Sequence, residues 1–318
     1  MKIAMIGSGA AGSVFAAYLR RGGGELWLVD KYKAHMDKIA ADGLVFRTPE
    51  GEEVLTGFHT APTAREIGVM DMVILMVKAT QTEGVMADTM PCIGPDTVVV
   101  SLQNGLGNDE VLAQFVPEDR IMYGSGLIGT ELAGPGVCVS KPEEGVMMHF
   151  GAVVNNPITD KAGKALEDLF KAGGCNASFD EDVRPYVWKK VIANSGYNGV
   201  SAVMRLKVKE VFGDPFGMGI VRHVWEEGCA VAEAMGIGDL RPLMVLEEPK
   251  ILEGLGNYYP SMAQDAVLHQ RQTEIDVLNG AIARYGRELG IPTPYNTVIS
   301  EIISCIQNNY DKQYLRKD

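Results

Sequence analysis

Residues 2–12 read KIAMIGSGAAG, and this stretch decides the fold. Lys2 to Ile6 is a short apolar run, read as a buried strand. Gly7-Ser8-Gly9-Ala10-Ala11-Gly12 follows, and a helical run continues through Leu19. This is G-x-G-x-x-G in the setting it requires, strand before and helix after. The first Gly permits the tight turn and the second lets backbone approach a pyrophosphate. The third allows close helix–strand packing, with the helix N-terminus facing the phosphates. A second strand, ELWLV at 25–29, ends in Asp30. Asp30 lies 18 residues beyond Gly12, close to the ~20 expected for an acid that binds the adenosine ribose. Its alternative role is to cap the next helix. The predicted dinucleotide contacts are therefore Gly7, Ser8, Gly9, Ala10, Ala11, Gly12 and Asp30. An acid at this place repels a 2′-phosphate and favours NAD, whereas Lys31 directly after it attracts one, so NADP stays open.

Outward from that turn, 44–58 (LVFRTPEGEEVLTGF) reads as two short strands around a Pro-Glu-Gly turn. MDMVILMV at 70–77 and TVVVSL at 97–102 are nearly unbroken apolar runs, as a parallel sheet buried on both faces requires. The first ends in Lys78 and the second runs into Gln103-Asn104-Gly105. Ligands of open α/β sheets bind outside the carboxyl ends of strands, so Lys78 and Asn104 are candidate contacts. The alternative for each is turn chemistry, Asn before Gly being a common turn pair. Residues 121–154 read as hairpin strands extending the sheet, 160–172 as a helix and 175–179 as a last strand. The charged stretch Asp180 to Arg184 marks the boundary, giving an α/β dinucleotide-binding domain over 1–181 with a mainly parallel sheet.

Residues 182–318 then read as an all-α domain: helices over 185–203, 217–235 and 297–307, and a long helix or broken pair over 262–289. The tail 308–318 is polar and expected to fray. In the first helix Lys190, Asn194 and Asn198 are spaced four apart, which stacks them on one face. Val191, Ile192 and Tyr197 suit burial. A buried row of an ammonium and two amides must be paired with something. A small substrate carrying a carbonyl and a carboxylate satisfies all three. Alternatively the Lys lies near the surface and backbone satisfies the amides.

The bulk numbers exclude several classes. With 29 Lys plus Arg against 41 Asp plus Glu, the net charge is −12, the opposite of a nucleic-acid binder. The cysteines, Cys92, Cys138, Cys175, Cys229 and Cys305, are scattered without a C-x-x-C pair. That pattern fits reduced thiols and no metal site. No apolar run is long enough to span a membrane, and the short apolar start flows straight into the Gly-rich turn rather than forming a signal peptide. A cytoplasmic protein, and a homodimer as the commonest assembly of soluble enzymes, are the expectations.

GSGAAGS at 7–13, VKATQ at 77–81, LQNGLGN at 102–108, WKKVIANSGYN at 188–198 and YPSMAQD…RQTEIDVLNG at 259–280 together resemble the ketopantoate reductase (2-dehydropantoate 2-reductase) family. The last two blocks are the specific ones, and the likeness runs from residue 1 to about 300. It implies a Rossmann-type domain followed by a helical one, with the active site in the cleft between. It implies NADPH-dependent reduction of 2-dehydropantoate to (R)-pantoate, a step of pantothenate synthesis. Lys190 matches the family's catalytic lysine, and Glu274 the acid that completes the site. Asn194 and Asn198 match substrate-binding amides, and Ser261 the serine that holds the substrate carboxylate. Asn104 matches the asparagine near nicotinamide and substrate, and Lys78 a cofactor-contacting lysine. Asp30-Lys31 departs from the family pattern, where NADPH users often carry Arg. An Asp there is similar to a branch of NAD-dependent (R)-2-hydroxyacid dehydrogenases acting on branched substrates.

In that chemistry a ketone becomes an alkoxide as hydride arrives. An ammonium against its oxygen polarises the carbonyl and donates the proton, worth ~10²–10⁴-fold. Lys190 is the candidate, with Glu274 tuning it. Local alternatives are an N-cap role for Ser261 and a helix-dipole role for Glu274. The rival functions are the NAD-dependent 2-hydroxyacid dehydrogenase, a 3-hydroxyacid enzyme of similar layout, and a dinucleotide-binding sensor without catalysis.

Overall fold

A computed structural model describes residues 1–142 and 145–313. The chain forms two compact units: Met1–Gln103 with Asn108–Val183, and Arg184–Asp318 with the short segment Asn104–Gly107. The cut after residue 181 read from the sequence has no place for that excursion, because nothing local marks four loop residues as belonging with the helices.

The first unit opens β1 (Lys2–Ile6), α1 (Ala10–Arg21), β2 (Glu25–Val29), α2 (Lys33–Asp42), β3 (Leu44–Thr48), β4 (Gly51–Leu55), β5 (His59–Ala61), β6 (Met70–Leu75), α3 (Thr82–Thr89) and β7 (Ile93–Ser101). It continues with α4 (Asn108–Leu112), β8 (Ile121–Gly126), β9 (Ile128–Gly134), β10 (Val137–Pro142), β11 (Met148–Ala152), α5 (Pro157–Ala172) and β12 (Ala177–Phe179). One sheet runs β12-β11-β8-β7-β6-β1-β2-β5. Its pairs are parallel except β11 against β8. Side chains of a strand alternate between faces. Accordingly Ile3, Met5, Met72, Ile74, Val98 and Val100 join a core with α1 and α5 on one face. Ala4, Ile6, Val73, Leu75 and Val99 join a second core with Met86 and Leu112 of α3 and α4 on the other. Burial on both faces is why these strands read as continuous apolar runs.

The expected hairpins over 121–154 prove to be divided. β8 and β11 extend the parallel sheet, but β9 and β10 leave it to form a second sheet, β4-β3-β10-β9. The reason is α1, which is buried along most of its length and needs a second apolar cover. Tyr18 of α1 packs edge-on against Phe46 of β3, ring centroids 5.0 Å apart, and its hydroxyl meets Ser140 Oγ of β10 at 2.8 Å.

The helical unit comprises α6 (Arg184–Asn194), a π-helical turn at Ser195–Gly199, α7 (Val200–Met204), α8 (Val208–Gly213), α9 (Pro215–Ala234) and α10 (Arg241–Leu255). α11 (Ser261–Ala263), a second π turn at Gln264–Leu268, α12 (Asn279–Leu289) and α13 (Pro294–Gln307) complete it. α9 starts sharply because Asp214 Oδ1 accepts the Phe216 and Gly217 N–H groups and Pro215 fills the first helical position. The stretch 262–289 is not one helix. After the π turn the chain turns at Gln270, φ +47°. Arg271 N–H then bonds back to Asp265 O, and the Thr273 N–H and hydroxyl both donate to Gln307 Oε1. These side-chain partners replace the helical ladder. In the tail, Tyr310 Oη donates to Arg271 O at 2.8 Å, so this part is tied down; 314–318 lie outside the described residues.

Candidate active site

Two groups of residues carry the predicted chemistry. In the dinucleotide-binding unit the glycine turn is built by close approach. Gly7 has φ +95°, and a Cβ there would stand 2.6 Å from Val77 N. A Cβ on Gly12 would fall 1.9 Å from Gly7 O, so only glycine lets α1 start against β1. Gly9 is different: a Cβ there would meet nothing within 4 Å. It caps α1 with no side-chain partner, and the N–H groups of a helix's first turn, here beginning at Ala10 and Ala11, have no acceptor within the helix. Such a surface takes an anion. Ser8, 1% exposed, keeps its Oγ without any hydrogen-bond partner, an orphaned donor at the mouth of the turn.

Asp30 follows β2. Its Oδ2 accepts the Ser8 N–H at 2.8 Å and its Oδ1 the Tyr32 N–H at 2.8 Å. One carboxylate thus links the glycine turn to the end of β2. Lys31 beside it is exposed. Beneath the turn lies a chain that the sequence reading missed. Gly136 N–H donates to His35 Nδ1 at 2.8 Å. A ring nitrogen that accepts is unprotonated, so in the neutral ring Nε2 carries the hydrogen and donates to Ser13 Oγ at 3.0 Å. Ser13 Oγ donates to Ser8 O at 2.8 Å. Burial holds the His35 pKa below its ordinary value, which keeps the ring neutral. The only trace of this in the sequence is a lone histidine in α2.

Lys78 follows β6 and is half-buried; its carbonyl accepts Gln81 N–H. The buried Gln103 fixes this corner, its Nε2 donating to Val77 O at 2.7 Å and Thr82 Oγ1 at 2.8 Å.

The helical unit gathers most of the remaining residues. Lys190, half-buried on α6, donates to Asn104 Oδ1 at 2.8 Å. Asn104 therefore stands with the lysine rather than with Lys78, in the segment that joins this unit. That segment is held by Leu106 N–H donating to Val277 O at 2.9 Å, and Gly105, φ +97°, has no room for a Cβ against Val277. Glu274 heads the same 274–277 turn, half-buried, its carbonyl accepting Val277 N–H.

One and two turns beyond Lys190 lie Asn194 and Asn198, 6% and 2% exposed. Asn198 Nδ2 donates to Asn194 Oδ1 at 2.7 Å and to Ser261 Oγ at 3.2 Å, and its Oδ1 accepts Met262 N–H at 2.8 Å. Ser261 is not a cap. It is the first residue inside α11, after Pro260, and makes no side-chain bond to the helix end. The row is carried through a π turn, which widens the helix and frees carbonyls from the ladder. Trp225 Nε1 takes Ala193 O at 3.3 Å and Asn279 Nδ2 takes Ser195 O at 3.2 Å. Gly196 lets the indole in, since a Cβ there would be 2.1 Å from Trp225 Nε1. Among the described residues no group of His, Cys, Asp and Glu is placed to hold a metal, and no helix is long and apolar enough to cross a membrane.

The geometry agrees with what the chain is similar to. Residues 3–152 match the family model described as ketopantoate reductase PanE/ApbA, and 182–307 match its C-terminal counterpart. A 2-dehydropantoate 2-reductase of Streptococcus pyogenes serotype M1 is 31% identical over 313 residues, covering 95% of this chain and 97% of the relative. One from Lactococcus lactis is 28% identical over 311 residues, covering 95% and 97%. Among solved structures, D-mandelate dehydrogenase with NADH and anilino(oxo)acetate superposes with a TM-score of 0.86 at 28% identity, covering 98% of this chain and 100% of that one. A ketopantoate reductase of Ralstonia eutropha JMP134 gives 0.84 at 29% identity with the same coverage. Matched over both of its units, the chain belongs to the ketopantoate reductase family.

Proposed function

We infer that the protein is an oxidoreductase that reduces 2-dehydropantoate to (R)-pantoate with a nicotinamide dinucleotide. The observation that carries this reading is the polar row on the helical unit of a ketopantoate reductase family member: a half-buried ammonium, two buried amides and an exposed hydroxyl in succession. A 2-oxoacid has a keto oxygen and a carboxylate, and donors are what both need.

The turn fits the cofactor. Gly9 leaves room for a diphosphate, the first turn of α1 offers N–H groups, and Asp30 holds the turn while its outer lone pairs remain for a ribose hydroxyl. When bound, the cofactor supplies the hydride. The rest falls to side chains. Lys190 polarises the keto oxygen and gives it a proton as negative charge gathers there. Asn104 holds the ammonium in place. Asn194 and Ser261 bind the carboxylate, and Glu274 is the acid that completes the site. Fixing the substrate in this manner accounts for much of the rate.

Asp30 also argues for NADH over NADPH. Its carboxylate is fixed by two N–H groups and cannot swing aside, so a 2′-phosphate would meet a stationary negative charge. Lys31, exposed, gives only a solvent-screened attraction. The same feature supports a second reading, an NADH-dependent (R)-2-hydroxyacid dehydrogenase, since D-mandelate dehydrogenase is a similar structure solved with NADH. A matrix of NADH and NADPH against 2-dehydropantoate, 2-oxoisovalerate and benzoylformate tests both. The highest kcat/KM is expected for NADH with 2-dehydropantoate. A much larger value for either of the other acids moves the assignment to the second reading. No turnover with any of them leaves a dinucleotide sensor and refutes both.

A further inference from the structure

We propose that His35 is a positioning residue for the cofactor: acting through Ser13, it holds the Ser8 carbonyl inward and so aims Gly9 N–H, the other end of the same peptide, at the diphosphate. This rests on the reading above, which places a dinucleotide on the glycine turn.

The need for such a device comes from Gly9 itself. It leaves room for phosphate oxygens, since a Cβ there would meet nothing within 4 Å. The same missing side chain removes the usual restraint on the peptide before it. In a planar trans peptide, C=O and N–H point opposite ways. Flipping the Ser8–Gly9 peptide would turn the Ser8 carbonyl outward and carry the Gly9 φ from −67° to a positive value, which glycine adopts readily. A carbonyl oxygen turned outward repels phosphate. Asp30 does not prevent the flip, because the Ser8 N–H that it holds belongs to the preceding peptide. The Ser8 carbonyl is held instead by Ser13 O–H at 2.8 Å. With that oxygen drawn inward, Gly9 N–H faces the other way. Gly9 is exposed, and its N–H has no acceptor among the described residues.

Ser13 has a competing choice. A serine inside a helix can bond the carbonyl four residues back. Here that is Gly9 O, which already accepts Ser13 N–H at 2.9 Å. His35 decides between the two acceptors. Its Nε2–H donates to Ser13 Oγ at 3.0 Å, which occupies a lone pair and leaves the hydroxyl proton aimed at Ser8 O. The tautomer that makes Nε2 the donor is set by Gly136 N–H, 2.8 Å from Nδ1. Gly136 lies in the turn between β9 and β10, so the second sheet fixes the direction of the relay. Ser8 is 1% exposed and Ser13 and His35 are sealed, so bulk water does not compete for these bonds.

Substitution separates the two ring nitrogens. A Gln amide reaches as far as Nε2, and an Asn amide only as far as Nδ1. His35→Gln therefore keeps a donor for Ser13, whereas His35→Asn keeps only an acceptor for Gly136. Fluorescence titration with NADH should give a Kd within ~3-fold of wild type for His35→Gln and raised ~10-fold or more for His35→Asn. Equal losses, or the reverse order, overturn the proposal. The His35→Asn loss should be as large for ADP-ribose, which carries the diphosphate without the nicotinamide, and below ~2-fold for adenosine, which lacks it. An equal loss for adenosine marks general damage to the domain and overturns positioning. Ser13→Ala should also weaken NADH ~10-fold or more, and adding His35→Asn to it should cost less than ~2-fold further. A full additional loss refutes action through Ser13. Nitrogen NMR of the imidazoles in the wild type needs no folded variant. His35 should carry its hydrogen on Nε2 both with and without NADH. Hydrogen on Nδ1 overturns the relay even if the enzyme turns over. The expected tautomer and NADH affinities sustain it even if the wild type reduces no oxoacid, an outcome that would refute the proposed function alone.

Discussion

Gly9 and Gly12 are three residues apart in one turn, and alanine at each should fail in opposite ways. At Gly12 a methyl would sit 1.9 Å from the Gly7 carbonyl oxygen. Ordinary contact needs more than 3 Å, so backbone must move by over 1 Å, and the helix that must move carries the core contacts of Val14, Phe15, Ala16 and Leu19. Overpacking against backbone at such a point should cost about 3 kcal/mol or more. At Gly9 the backbone is extended, φ −67° and ψ −158°, which alanine adopts freely, and the methyl meets no protein atom. The gain from a stiffer unfolded chain, ~0.4–1 kcal/mol, offsets the poorer cap, so stability should stay within about 1 kcal/mol of wild type. On the proposed reading, the methyl instead occupies the space through which phosphate oxygens would reach the first N–H groups of α1. Losing one charge-assisted bond, ~1.5–3 kcal/mol, weakens NADH ~10- to 100-fold. Calorimetric unfolding and NADH titration of the two variants give four numbers. The expected pattern is Gly12→Ala destabilised and Gly9→Ala stable but binding poorly. Wild-type NADH affinity in Gly9→Ala, or equal destabilisation of both, would show that the turn is not the phosphate site.

Lys190→Met keeps length and removes the ammonium; kcat should fall ~10²–10⁴-fold with NADH Kd within ~2-fold of wild type, and a loss below ~5-fold would remove the lysine from proton transfer. His35 should give the fold a pH dependence. Its folded pKa is depressed by burial, so its neutral ring contributes fully above the unfolded value of ~6.5, and that contribution is lost as pH falls from there through the folded value. Melting temperature should therefore drop between pH 7 and 5, and by less in His35→Gln, whose amide does not titrate; equal slopes would disconnect the histidine. The thiols should divide sharply. Burial raises Cys92 to about 11 and Cys138, Cys175 and Cys229 to about 12, while Cys305 is exposed. Native protein should titrate with one fast thiol and denatured protein with five.

Where a structural cause lies within a few residues, it was legible in the sequence. The turn at Gly7–Gly12 is marked by the spacing of its own glycines, even though Gly7 is also pressed against Val77, and the apolar runs of β6 and β7 announce a sheet covered on both faces. The Lys190, Asn194 and Asn198 spacing likewise put three polar groups on one face, and the folded helix keeps Asn194 and Asn198 in hydrogen-bond contact. What escaped has partners far along the chain. β9 and β10 leave the main sheet because α1, over a hundred residues earlier, needs a second cover, through contacts such as Tyr18 with Ser140. α10 went unread because Pro249 stands inside it and a helix with an interior proline is held by its neighbours rather than its propensity. The break after Leu268 depends on Gln307 taking the place of the helical ladder at Thr273. The same division runs through the site. Residue types at a fixed spacing say which groups can meet an oxoacid, but an amide is donor or acceptor according to which end is turned outward. Here that choice belongs to Met262 N–H, a group every non-proline residue possesses and no sequence pattern can mark. Chemistry that depends on residue identity can be read from the chain, whereas chemistry that depends on the direction of a hydrogen bond needs the fold that sets it.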